Sequence, residues 1–103
     1  MDRKSFSVRT TQYKGSLLVN ICDEELIGKT VTEGKLKVHL SKDYYFGQVV
    51  ATGEALSLIR TASIVNLAGD RAVSLAVDNG VGTREAVRRI EDVPFLMVYK
   101  FLG

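Results

Sequence analysis

Phe6 and Val8 alternate with Ser5, Ser7, Arg9 and Thr11, the period-two pattern of a half-buried strand. Lys14-Gly15-Ser16 supplies a turn, and "LLVNIC" reads as the second arm of a hairpin. Leu17, Val19 and Ile21 share one face of that arm; Leu18, Asn20 and Cys22 share the other. The clearest alternation is "KLKVHLS", with Leu36, Val38 and Leu40 on one side and Lys35, Lys37, His39 and Ser41 opposite. Three strands are therefore expected before Asp43. The period then changes. Ala55, Leu58, Ile59 and Ala62 form one stripe of a helix within residues 53–62. "NLAGDRAVSLAVDNG" predicts a loop and a second helix over 69–79, buried through Ala72, Val73, Leu75 and Ala76 and stopped by Gly80. "TREAVRRIED" predicts a short third helix capped by Thr83, with Ala86, Val87 and Ile90 inward. "VPFLMVYKF", apolar at almost every position, predicts a last strand near 94–101 covered on both faces. The class is α+β: a small mixed, largely antiparallel sheet with two or three helices packed on it, in a single domain over residues 1–103.

Composition narrows the chemistry. The chain has 103 residues, 46% of them hydrophobic and 25% charged, as an ordinary globular domain would. One cysteine excludes an internal disulfide and a cysteine-rich metal cluster, and a single histidine excludes the two-histidine metal motifs. No cofactor is expected, since neither a Walker-type phosphate loop nor a GxGxxG after a strand occurs; "GVGTRE" lacks the third glycine. No apolar run approaches the roughly 18 residues that span a bilayer, so no membrane partner is expected. The polar start "MDRKSFSVRT" has no signal-peptide core, which makes the cytoplasm the expected compartment. Through Lys42 there are eight Lys and Arg against five Asp and Glu; the remainder has six against seven. The basic first half suits an anionic partner.

The most concentrated chemistry is "CDEELIGKT", residues 22–30. An enzyme would use Cys22 as nucleophile, or a carboxylate among Asp23, Glu24 and Glu25, beside Lys29. Architecture explains the same residues: Cys22 packs as a small apolar group, Asp23 caps the turn "EELIG", Leu26 and Ile27 dock on the core, and Gly28 ends it. Lys35, Lys37 and His39, joined by Arg9, form a basic face suited to phosphate backbones. Tyr13, Tyr44, Tyr45 and Phe46 offer planes on which bases can stack.

Taken in order, "CDEELIGKT", "YYFG", "ASIVNLAGDRAVSLAVDNG" and the late "VP" before an apolar strand resemble the archaeal family called domain of unknown function 424. The positions that carry the resemblance are Cys22, Asp23, Glu24, Glu25, Gly28 and Lys29, then Tyr45 and Gly47, then Asn66 and Gly69. It implies an archaeal, cytoplasmic, stand-alone protein and supplies no reaction. Many relatives carry a His-Ala-Gln-like segment after the Val-Pro, where this chain has Phe95-Leu96-Met97. That stretch reads as a packing or docking surface. The expected function is a non-enzymatic accessory module that binds RNA or a ribonucleoprotein. The alternatives are a small enzyme built on Cys22, with Lys29 or a carboxylate assisting, and a protein–protein adaptor using the final strand. The oligomeric state is not legible in the residues.

Overall fold

The computed structural model describes residues 5–45 and 47–100. Strands β1 (Phe6–Tyr13) and β2 (Ser16–Asp23) form the expected hairpin, with Phe6 opposite Asp23 and Tyr13 opposite Ser16. A single 3-10 turn, Glu24–Leu26, leads into a second hairpin of β3 (Thr30–Glu33) and β4 (Leu36–His39). There follow α1 (Lys42–Tyr45), β5 (Gln48–Val50), α2 (Thr52–Thr61), β6 (Ile64–Ala68), α3 (Asp70–Asp78), β7 (Arg88–Ile90) and β8 (Val93–Tyr99). Six strands make one sheet in the order β5-β1-β2-β6-β8-β7, while β3 and β4 form a separate ribbon. Among the described residues only the β2–β6 pairing is parallel, so the sheet is mixed and largely antiparallel, in an α+β fold.

The two faces of the sheet have different partners. Phe6, Val8, Val19, Ile21, Val65, Leu67 and Leu96 point to α2 and α3, where Ala55, Ile59, Ala72, Val73 and Ala76 complete the main core. The helix stripes read from the sequence are the ones buried. Lys100 adds a tie on this side, its Nζ donating to the Ile59 carbonyl in the last turn of α2. On the opposite face, a smaller cluster joins Cys22, Ala68 and Leu40, with Leu26, Ile27, Tyr45 and Phe95 packed against it. Here the base of the ribbon docks through Leu40, Leu26 and Ile27, and the ribbon's own ladder is closed at that base by Gly28 N–H to the Leu40 carbonyl (2.8 Å) and Leu40 N–H to the Lys29 carbonyl (2.8 Å). Along β4, Leu40 is fully buried, Val38 half-buried and Leu36 exposed, while Val31 on β3, opposite Val38, is buried, so the tip of the ribbon lies outside the core.

Five expectations need correction. Four strands precede Asp43, because "TVTE" pairs back on "LKVH". "IVNLA", which follows the helix expected within 53–62 and for which no strand is expected, its "NLA" reading as a loop, is the central parallel strand β6; its β-branched Ile64 and Val65 suit a strand buried between two neighbours. "QVV" adds an edge strand on β1. The third helix is only a 3-10 turn, Arg84–Ala86, without a side-chain cap from Thr83, and Arg88–Ile90 pair with β8 instead. Pairing supplies β8 with hydrogen-bond partners on that edge, which two turns of helix could not. Finally, β8 is fully covered on one face only: Leu96 is buried, while on the other face Phe95 is half-buried beneath the ribbon and Met97 and Tyr99 are exposed. The expectations for Phe46 and Phe101 lie outside the described residues. Among the described residues, no helix is long and apolar enough to cross a membrane.

Candidate functional site

Residues 22–30 build a corner whose polar groups are already engaged. Asp23 does not cap the turn that follows it. Its buried carboxylate reaches the start of α3 instead, where Oδ2 accepts the Arg71 N–H (3.0 Å) and Oδ1 accepts the Ala72 N–H (2.8 Å). The first residues of a helix have N–H groups with no partner of their own, and here the residue before α3 is Gly69, which offers no side chain. A cap supplied from 48 residues away replaces a local one. Gly69 is held at φ +109°, and a Cβ added there would stand 2.4 Å from the Asp23 Cγ. The Arg71 side chain closes the corner: it bonds Glu25, lies 3.9 Å from Asp23, and covers the Phe6 ring at 5.3 Å. Burial pushes the Asp23 carboxyl up from its ordinary value, against the two backbone hydrogen bonds and the guanidinium that favour its charge.

Cys22 sits beneath this corner, fully buried. Burial pushes its thiol up to about 12, with the negative charges of Asp23 and Glu25 adding to the effect and Arg71 opposing it. Lys29 is exposed, and His39 is on the ribbon with its Nδ1 2.9 Å from Thr30 Oγ1. Among the described residues, neither Lys29 nor His39 is hydrogen-bonded to the buried sulfur, and the thiolate, which the burial disfavours, is the reactive form. Alkylation of the native protein at neutral pH is expected to be far slower than that of free cysteine, and to reach the free rate in denaturant. Prompt alkylation of the native protein would contradict the burial.

The open part of the second sheet face lies beside the ribbon. Strand register sets its residues in rows. Ser7, Cys22, Ala68 and Phe95 form the row beneath the ribbon and α1. In the next row Arg9 stands opposite Asn20, Asn20 opposite Asn66, and Asn66 opposite Met97. The third row is Thr11, Leu18, Ile64 and Tyr99, with Tyr13 at the end of its strand. Tyr13, Met97 and Tyr99 are 62%, 53% and 57% exposed. Helix α1 is pinned at the edge of this face: Ser7 Oγ donates to the Tyr45 carbonyl (2.7 Å) and Asn20 Nδ2 to the Tyr44 carbonyl (3.0 Å). Gly47 N–H donates to the Val8 carbonyl at 2.9 Å, and a Cβ at residue 47 would come within 2.7 Å of that oxygen. Only glycine permits so close an approach.

Three shallow cavities lie along this face. The largest, about 430 Å³, is bounded by Leu18, Asn20, Val38, His39, Tyr44, Tyr45, Asn66 and Met97. A second of about 320 Å³ continues it past Phe95 to Arg88, and a third lies at Arg9 beside Gly47 and Gln48. None of the three is lined by a carboxylate. The basic residues expected to act together are therefore divided. His39 is at the mouth of the large cavity and Lys37 is beside it on the ribbon, Lys35 is in the ribbon's turn, and Arg9 is on the six-stranded sheet. Arg88, Tyr99 and Asn20 were not singled out from the sequence; Asn66 was named only as a position of the family resemblance, and Met97 only within the segment after the late Val-Pro. The signal for the asparagines was present, as one polar residue in the middle of each of two apolar strands. Among the described residues, no group of three or more His, Cys, Asp or Glu is placed to hold a metal ion.

The family described as protein of unknown function (DUF424) matches residues 10–101. Among curated proteins none matches. A crystal structure of an uncharacterized conserved protein from Methanopyrus kandleri has the same fold, with a TM-score of 0.80 over 95% of each chain and 20% sequence identity.

Proposed function

Starting from a chain that belongs to the DUF424 family, we propose that it is a non-enzymatic accessory module whose open sheet face binds single-stranded RNA. The observation that carries this reading is a half-apolar face with exposed Tyr13, Met97 and Tyr99, and with Arg9 and Arg88 along carboxylate-free cavities. Aromatic planes on a rigid sheet take unpaired bases, which RNA offers in its loops and ends. Arg9 on β1 and Arg88 on β7 are four strand spacings apart, about 19 Å, so a strand crossing the sheet meets a cation near each side. Lys35 and Lys37 on the ribbon add further positive charge at the rim.

Titration of a labelled RNA of about ten nucleotides, followed by fluorescence anisotropy, tests the reading. Micromolar affinity is expected. With Arg9, Arg88, Lys35 and Lys37 engaged, log K should fall against log salt with a slope of roughly −2 to −3, about −0.7 per contact. Exchanging Arg9 and Arg88 for glutamine should flatten that slope by about 1.4 while the domain stays folded. Binding without salt dependence, or no binding at low salt, would overturn the proposal.

A further inference from the structure

We infer that the largest cavity on the sheet face reads the edge of one unpaired base through the side chain of Asn66; this rests on the proposal that the face binds RNA. The hydrogen bonds fix which way each amide points. The Tyr44 carbonyl can only accept, so the group facing it on Asn20 is the NH2, at 3.0 Å. Asn20 Oδ1 then faces the other way and accepts from Asn66 Nδ2 at 2.8 Å. One end of Asn66's own NH2 is thereby used. Its Oδ1 and the second N–H have no partner among the described residues, and both belong to a half-buried residue at the cavity wall.

An acceptor and a donor about one bond angle apart are what a nucleobase edge complements with two parallel hydrogen bonds. Asn20 is a positioning residue: it holds the amide of Asn66 still, so that pairing with a base does not have to fix a free rotor. Leu18, Val38 and Met97 supply apolar walls around the same cavity, where the base plane can lie. Phosphate contacts carry no sequence information, whereas an edge contact of this kind does. The face should therefore discriminate between bases.

The test compares four homopolymer RNAs of equal length, and the four nucleoside monophosphates alone, on the wild type and on Asn66→Ala and Asn66→Asp. The wild type is expected to prefer one homopolymer over the weakest by at least about fivefold, in line with one edge contact. Asn66→Ala should bring the four affinities together, and Asn66→Asp, which keeps the shape but loses the donor, should do the same. The monophosphates should bind far more weakly than the preferred polymer. Equal binding of all four polymers with a normal salt slope would overturn this inference and leave the RNA reading standing. A preference that survives in both variants would also overturn it. Tight binding of a monophosphate would make the cavity a nucleotide site rather than a reader of RNA. Absence of any binding would sink both.

Discussion

Gly69→Ala is expected to destabilise the protein by about 2–4 kcal/mol. Strain at a backbone angle that L residues avoid contributes about 1–3 kcal/mol, and loss of a helix cap about 1 kcal/mol. Both apply, because the residue is held at φ +109° and the new methyl would overlap the Asp23 carboxyl at 2.4 Å. Asp23 cannot give way without releasing the Arg71 and Ala72 N–H groups at the start of α3. Against a total stability of about 5–15 kcal/mol, the change would be plain in a urea titration followed by circular dichroism. Gly53→Ala is the matched comparison. It lies in the first turn of α2 with nothing within 4 Å of the added Cβ, and alanine there should be neutral or stabilising by up to about 1 kcal/mol. Equal midpoints for the two variants would mean that Asp23 does not hold α3.

The largest effect on binding is expected from replacing Tyr13 and Tyr99 together by alanine. Each base stacked on an aromatic ring contributes about 1–3 kcal/mol, so the pair should lose about 2–6 kcal/mol. A micromolar complex, at about −8 kcal/mol, would then become millimolar or undetectable. Both rings are more than half exposed, and neither belongs to the main core, so the unfolding midpoint should stay within the range of ordinary surface substitutions. Retained affinity in the anisotropy titration would show that stacking on this face is not what holds the RNA.

Much of the fold could be read from the residues because it depends on period. Phe6 and Val8, Val19 and Ile21, and the Ala55–Ile59 and Ala72–Ala76 stripes are buried where the alternation placed them. What escaped was set by partners distant in sequence. Strand β6 has no alternation of its own, since both of its faces are packed or half-packed, and only its pairing with Leu18–Cys22 on one side and Phe95–Tyr99 on the other makes it a strand. Residues 88–90 carry a helix-like spacing that the free edge of β8 overrides. Asp23 stands before a short turn, as a local cap would, yet the helix it caps begins at Asp70. The candidate site was harder still. Arg9 and the ribbon residues were legible as basic positions, but the face itself is assembled from β1, β2, β6 and β8, and its rows exist only once the strand order β1-β2-β6-β8 is known.

The central claim is that the open sheet face, and not the corner at residues 23–29, meets the RNA. Amide chemical shifts recorded while a short single-stranded RNA is added test it most directly. The account predicts progressive shifts at Arg9, Thr11, Tyr13, Leu18, Asn20, Met97 and Tyr99, with Arg88 and His39 moving at the rim and the exposed sides of α2 and α3 unchanged. Shifts confined to Glu24, Glu25 and Lys29, or to α2 and α3, would contradict it and assign the binding surface to the opposite side of the molecule or to the corner.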